Sequence, residues 1–442
     1  MVLRTPERHF PPEAAPARNA PAGTSIAGGI ILIAATSFNA ALALINGHVT
    51  PVSYLGVALV QTMLTVASLA IVLIVRPPGV TRWLVGLWAA ACGFLLLSLL
   101  RGLVEFKYLA DILIILIFVM LGMAIRSKTL AWVLLILQAI LVAVALWELL
   151  FPQNFGDTFL VRSYYVNSRS FFDEGFWSAQ ENLYLSAERP SGRMIGAATG
   201  FHRASSLFLE PVSLGNWTIV VTLGIAALQS TLSRTMIVLL AIGNILLLFA
   251  CDGRLALAIN LLLLAAWPIL PRLPRWLPPL FLPLIFLALL LASATGLLAE
   301  QGDTLIGRFR YGLDYLLGLN ARDLLGLYAR GGVVAADSGW AYFILTQSIF
   351  GFAAIWLALT LHSAPGTAGE RRFIAGMAIF VALSLPVSYS IFSIKTAALL
   401  WALYGNLLSR GISERMAGQP AGTPNVRPIM PSRLGNTKTN PA

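Results

Sequence analysis

The sequence predicts an all-α, polytopic integral membrane bundle of about twelve transmembrane helices, with two large loops on its outer side. Three observations predict it. Of the 442 residues, 58% are hydrophobic and only 11% charged, against roughly 25% charged in a soluble domain. The apolar residues fall in long blocks such as Gly28–Ile45, Leu55–Val75 and Leu130–Leu150, with neither a period of two nor an amphipathic stripe. About 20 apolar residues are what a helix needs to cross roughly 30 Å of hydrocarbon. Finally, arginine and lysine recur in every second short connection, where a membrane chain carries its cytoplasmic charge.

In chain order, residues 1–24 are polar and Pro-rich, with Arg4, Arg8 and Arg18 ahead of the first apolar block. That block is full length, so it reads as a retained helix instead of a cleaved signal peptide. The expected spans are 25–47, 51–75, 83–100, 108–125, 130–150, 213–230, 235–250, 255–270, 277–299, 339–361, 373–391 and 395–409. The last two are short enough to form a tightly packed hairpin. Residues 25–409 thus form one transmembrane domain, and the tail 410–442, rich in Pro, Gly, Asn and Thr from Met416, reads as disordered.

With the N-terminus inside, the even-numbered connections carry Arg76 and Arg82, Arg126 and Lys128, Arg234, Arg272 and Arg275, then Arg371 and Arg372. The basic tail (Arg410, Arg415, Arg427, Arg433, Lys438) lands on the same side. This pattern predicts a bacterial inner-membrane protein with both termini cytoplasmic. Arg101 and Lys107, in a short outer connection, are the clearest exceptions.

Several function classes are disfavoured. The net charge of +11 is scattered through short loops, so no nucleic-acid partner is expected. Cys92 and Cys251 sit in or beside apolar blocks and read as small buried hydrophobes. His9, His48, His202 and His362 lack metal-ligand spacing, and no GxxxxGK[ST] loop appears, so ATP-driven transport has no engine in this chain. A transporter would also place ionisable residues near the midplane in broken helices, whereas these blocks are nearly free of central charge.

The polar chemistry concentrates in two long outer loops, 151–212 and 300–338. Long loops escape the positive-inside rule, so their arginines need another explanation: Arg162, Arg169, Arg189, Arg193 and Arg203, then Arg308, Arg310, Arg322 and Arg330. The most specific stretch is Arg203-Ala-Ser-Ser-Leu-Phe-Leu-Glu-Pro-Val-Ser-Leu-Gly, which enters the sixth span. Pro211 suits a helix start and Glu210 suits its dipole; alternatively an Arg203–Glu210 pair merely pins loop to helix. Cys251-Asp252-Gly253-Arg254 forms a short outer turn, and Asp337-Ser338-Gly339-Trp340-Ala341-Tyr342 closes the second loop, with Gly351 further down that span. Tyr164, Tyr165, Phe171, Phe172, Phe176, Trp177 and Tyr184 make the first loop aromatic, either as a sugar groove or, the commoner case, as a helix at the membrane interface. Ile306, Phe309, Leu313 and Leu316 recur at helical spacing in the second, predicting an amphipathic helix resting on the bundle.

On these residues the chain resembles the Wzy-type polysaccharide polymerases and the related O-antigen ligases. The pattern R-x-S-x-x-F-x-E-P over Arg203–Pro211 looks like their first large-loop motif, and the Arg254 turn is similar to their small-residue-plus-arginine turn. Asp337-Ser338-Gly339-Trp340 looks like the H/D-N-x-Y sequence closing their second loop. Ligases usually carry histidine where Asp337 stands, which favours polymerase.

The resemblance implies polymerisation of polyprenyl-pyrophosphate-linked oligosaccharide repeats, for exopolysaccharide or O-antigen, by inverting transfer without a metal or other cofactor. It implies Asp337 as base with Glu210 second, and Arg203 and Arg254 on the leaving pyrophosphate. Arg193, Ser205, Ser206, Arg308 and Arg310 would bind substrate. The bilayer, a flippase and a chain-length regulator are the implied partners; a ligase-type transferase or a transporter of lipid-linked sugars is the alternative. The topology is directly testable: cysteines placed near Ser178 and Asn320 are expected to react with a membrane-impermeant thiol reagent from outside. One near Ala368 is not, and external labelling there would invert the topology.

Overall fold

The computed structural model describes residues 21–169, 182–188, 192–195, 199–300, 304–327, 338–361 and 367–418. No strand occurs among them. Five long helices come first: α1 (Ala22–His48), α2 (Tyr54–Val75), α3 (Val80–Arg101), α4 (Phe106–Ala124) and α5 (Ser127–Leu150). Short helices α6 (Pro152–Phe159) and α7 (Val161–Arg169) open the first long connection. Then come α8 (Pro211–Ala227), α9 (Arg234–Cys251), α10 (Arg254–Ala266) and α11 (Leu277–Ala294). The second long connection holds α12 (Leu305–Leu317) and the single turn α13 (Ala321–Leu324), and α14 (Gly339–Leu361), α15 (Ala368–Ser384) and α16 (Ile394–Gly418) complete the fold.

Each expected span overlaps one of these helices, though α10 ends at Ala266 and α15 at Ser384, short of the expected 270 and 391. Eight of them, α1–α5, α9, α11 and α14, are long and apolar enough to cross a membrane. The others depart from that standard for a physical reason. α8 has 17 residues and α10 has 13, α15 opens on Glu370, Arg371 and Arg372, and α16 opens beside Lys395. α8 and the first half of α16 are almost wholly buried and α15 mostly so, so their composition answers to protein neighbours more than to lipid. By contrast α2, α3 and α11 expose rows of large apolar side chains, among them Leu55, Leu59, Leu95, Leu99, Leu284 and Leu291, as lipid-facing helices do.

The last two helices do not form the expected hairpin. α16 leaves α15 through the irregular segment 385–393 and packs mainly against α4, with α1 and α8 on its other sides. Two glycines allow it. A Cβ on Gly122 would lie 1.9 Å from the Ala402 carbonyl oxygen, and one on Gly405 would lie 1.8 Å from that of Val119. The two backbones therefore touch, the close approach that small residues permit in membrane helices. Asn406 locks the contact, donating from Nδ2 to the Ile125 carbonyl (2.7 Å) and accepting from Ser127 Oγ (2.8 Å). Elsewhere in the bundle a polar cluster ties α5, α8, α9 and α10: Trp217 Nε1 donates to Gln138, Thr222 to Asn260, and Asn244 Nδ2 to Thr222 and the Thr218 carbonyl.

The two long connections leave the bundle on one side, here called the loop face. α12 lies there as the amphipathic pattern predicted, with Leu313 buried and Gly312 pressed against the Pro386 carbonyl, although Ile306 is exposed. The first-loop aromatics Tyr164 and Tyr165 are buried against the bundle; Phe171, Phe172, Phe176 and Trp177 lie outside the described residues. The two exceptional loop-face cations also find an explanation. α14 breaks at Ser348 (φ 68°, ψ 163°), and buried Arg101 donates to the carbonyls of Leu345 and Thr346 beside the break and to that of Gly326. Lys107 pairs with Asp111 at 2.7 Å. Each charge is consumed locally.

A discriminating test of the packing compares two glycines. Gly405→Val is expected to abolish monodisperse protein in detergent, because a backbone carbonyl cannot yield as a side chain does; overpacking against side chains alone costs about 1–3 kcal/mol. Gly86→Ala, whose Cβ would meet nothing within 4 Å, should leave the thermal midpoint unchanged.

Candidate functional site

The loop face carries a charged cluster centred on Glu210. This residue is the N-cap of α8, with Pro211 at the first helical position, as the sequence implied. Four side chains donate to its carboxylate: Lys395 Nζ at 2.5 Å, Arg169 Nη1 at 2.7 Å, Ser213 Oγ at 2.8 Å and Tyr165 Oη at 3.2 Å. Lys395 lies at the start of α16 with its side chain only 3% exposed, and Nζ also reaches the Phe208 carbonyl. Arg169 is the last residue of α7 and stacks over the Tyr165 ring at 4.9 Å.

Burial by itself would raise the Glu210 carboxyl, but the Lys395 ammonium and the Arg169 guanidinium outweigh it and bring it down to about 2. A carboxylate held so firmly ionised is a poor proton acceptor near neutral pH. It acts instead as the anchor for two cations, and the trio keeps a net charge of about +1. That surplus includes the exposed Arg169 guanidinium, which an anionic group can reach.

A second cluster stands close by. Lys107 Nζ donates to Asp111 (2.7 Å) and to Tyr342 Oη (2.6 Å), and Tyr342 Oη donates in turn to Asp111. Tyr342 stacks on Tyr389 with centroids 5.1 Å apart, and Tyr389 is within electrostatic range of Arg169. Tyr389 therefore lies between the two clusters, a flat aromatic wall between a cationic trio and a neutral Lys107–Asp111 pair.

The residues singled out in the sequence fall into three groups. Glu210 is at the centre of the first cluster. Arg203 turns to other partners: it is 2% exposed, with Nε on the Cys251 carbonyl (3.0 Å) and Nη1 on that of Ser186 (3.0 Å). It thereby joins the end of α9 to the first loop. Arg193 makes a similar tie, donating to the carbonyls of Ile195, His202 and Phe249. Ser205 and Ser206 cradle buried Glu148, whose carboxylate accepts both backbone N–H groups and the Ser205 hydroxyl. Buried Asp252 takes the N–H groups of Met194 and Ile195, and half-buried Arg254 opens α10 just beyond it. Arg308 and Arg310 lie half-buried on α12, the latter 3.5 Å from Asp314. Asp337, Arg189 and Arg330 lie outside the described residues. The residue after Asp337 is buried Ser338, and Gly339 and Trp340 are held against the 385–388 segment.

Sequence reasoning missed Lys395, Asp111 and Tyr389, and noted Arg169 only as one loop arginine. Two of these left a signal. Lys395 is one of four lysines in the chain and sits inside an apolar run; Asp111 interrupts the fourth block. An ionisable residue in such a position is a site candidate by default. Among the described residues no group of three or more His, Cys, Asp or Glu is placed to hold a metal ion.

These features define a class: a helical, multi-pass membrane bundle with a charged and aromatic cluster at one face. No family model, curated protein or solved structure matches the chain.

The Glu210 cluster yields a stability prediction. Removing one partner from a buried pair costs about 3–5 kcal/mol, so Lys395→Met is expected to lower the thermal midpoint markedly, and adding Glu210→Gln should restore part of the loss. Strictly additive losses would show that the two do not act as a pair. The pH dependence has a definite sign. The folded-state value near 2 lies below the ordinary 4.5, so this stabilisation is complete above about pH 4.5 and is lost as pH falls toward 2. Glu210→Gln should flatten that part of the acid-unfolding profile.

Proposed function

We propose that this chain crosses a bacterial inner membrane about twelve times, with both termini cytoplasmic, and polymerises polyprenyl-pyrophosphate-linked oligosaccharide repeats at its outer face. The observation that carries this reading is the sharing of one carboxylate, Glu210, by two cations, the buried Lys395 and the exposed Arg169. A surplus cation is what a departing pyrophosphate requires, and an exposed aromatic face such as that of Tyr389 suits a sugar ring. The sequence likeness to Wzy-type polymerases supports the same reading independently.

In the proposed reaction an acceptor hydroxyl attacks the anomeric carbon of the donor sugar. The new C–O bond forms as the bond to pyrophosphate breaks, and the electron pair leaves with the pyrophosphate oxygen. A single displacement inverts the anomeric configuration. The acceptor's proton passes to a carboxylate, Asp337 by resemblance. Charge developing on the leaving group is met by Arg169 and Lys395, with Arg254 added by resemblance, so that fixed cations do the work a metal does in other pyrophosphate chemistry; buried Arg203 instead holds the first loop to the end of α9. Glu210 holds those cations in place.

Two alternatives remain, a ligase-type transferase and a transporter of lipid-linked sugars. A broken helix is what transport would use, and α14 is broken, but the carbonyls beside its break are taken by Arg101. This weighs against transport.

Deleting the gene is expected to leave single repeats on polyprenyl pyrophosphate at the outer leaflet and no long polymer. Asp337→Asn should give the same phenotype with normal protein levels. Long chains accumulating on the carrier would indicate a ligase, and single repeats protected from an external glycosidase would indicate a flippase. Polymer of normal length on carrier lipid in the deletion strain would overturn the polymerase reading.

A further inference from the structure

On the side opposite the loop face, four arginines gather where α10 leads into α11 and where α15 begins: Arg272, Arg275, Arg371 and Arg372. Two are committed to protein acceptors. Arg272 donates to the Pro268 carbonyl at 3.0 Å. Arg372 donates to the Trp267 carbonyl and to Gln229, both at 3.0 Å, and stacks over the Trp267 ring at 5.2 Å. The other two are not. Neither the Arg275 nor the Arg371 side chain has an acceptor among the described residues, and Arg371 Nε is buried without a hydrogen-bond partner.

An unanswered guanidinium N–H is costly where water is excluded. The position makes it costlier. Arg371 ends the first turn of α15, at the positive end of the helix dipole, which favours an anion and disfavours a cation. The one acidic residue of that turn, Glu370, turns back to cap the helix, accepting from the Thr367 N–H. The local field is therefore strongly positive, with two donor sets unused.

Both arginines line one groove, whose walls are apolar: Leu273, Pro278, Ile374 and Ala375. Beside it Trp276 is 62% exposed, and Leu280 and Leu284 continue as exposed residues along α11. Tryptophan at a helix end and leucines along its length are how a helix meets the headgroup and acyl regions of a leaflet. A free phosphate would satisfy the arginines but leave the apolar walls unused. A phospholipid uses both.

We propose that this groove binds one anionic phospholipid of the leaflet on the arginine-rich face, its phosphodiester held between Arg275 and Arg371. Arginine suits that task because its planar fork offers paired donors to phosphate oxygens. The acyl chains then follow the Leu280–Leu284 side of α11. The site is distinct from the loop-face cluster and does not depend on the reaction assigned to it.

The test uses the full chain purified in mild detergent and delipidated. Titration with phosphatidylglycerol is expected to raise the thermal midpoint saturably, whereas phosphatidylcholine and inorganic phosphate should not. Arg275→Ala, an exposed position that should fold normally, is expected to weaken the apparent affinity about fivefold, and Arg275→Ala/Arg371→Ala by tenfold or more, since each basic residue near an anionic lipid surface contributes comparably. Arg234→Ala, on the same face but away from the groove, serves as the control and should bind as the wild type does. Native mass spectrometry should find one phosphatidylglycerol retained by the wild type and lost from the double variant. Equal retention by both, equal weakening by Arg234→Ala, or equal stabilisation by inorganic phosphate would overturn the proposal.

Discussion

The contact between α4 and α16 is the constraint on which the rest depends. In a bilayer, apolar side chains gain nothing by leaving lipid for one another, so helices associate through close packing and interhelical hydrogen bonds. Here Gly122 and Gly405 remove the side chains that would hold the two backbones apart, and each accommodates a carbonyl of the opposite helix. Asn406 then adds hydrogen bonds to the Ile125 carbonyl and Ser127. A helix so enclosed need not be hydrophobic on every side, and α16 carries Lys395, Thr396 and Asn406 under cover.

That same enclosure makes the loop-face cluster. Lys395 enters at the loop-face end of α16, and its ammonium cannot reach bulk water; it meets Glu210 because α8 starts beside it. The carboxylate in turn fixes Arg169 and so ties α7, from the first long connection, to the bundle. One buried anion thus organises a buried helix, a helix start and a loop. Breaking it would disturb architecture and chemistry together, so a double-mutant comparison is more informative there than single substitutions.

A common rule governs the other buried charges. Arg101 satisfies carbonyls released by the break in α14, Arg203 and Arg193 satisfy those at the end of α9, and Glu148 and Asp252 take backbone N–H groups of the first loop. In each case irregular backbone near the membrane is paired by a charged side chain, because unpaired backbone groups have no water to turn to. Against this pattern Arg275 and Arg371 stand out, with donors that no carbonyl among the described residues meets.

The sequence by itself determined the helical membrane architecture. Long blocks of apolar residues suit helices in hydrocarbon, and eight of the helices are long and apolar enough to cross a membrane. It also pointed to a helix start at Glu210–Pro211 and to an amphipathic helix carrying Ile306, Phe309, Leu313 and Leu316, since both rest on interactions between near neighbours in the chain. It did not determine which charges meet. Arg203 and Glu210 are close in sequence yet turn to different partners, whereas Glu210 and Lys395 are remote in sequence and stand 2.5 Å apart. That pairing was decided by the packing of α16 against α4, through two glycines whose significance lies in a carbonyl on another helix. Local patterns encode local energies; the partner of a buried charge is set by which backbones can approach closely enough to bring it there.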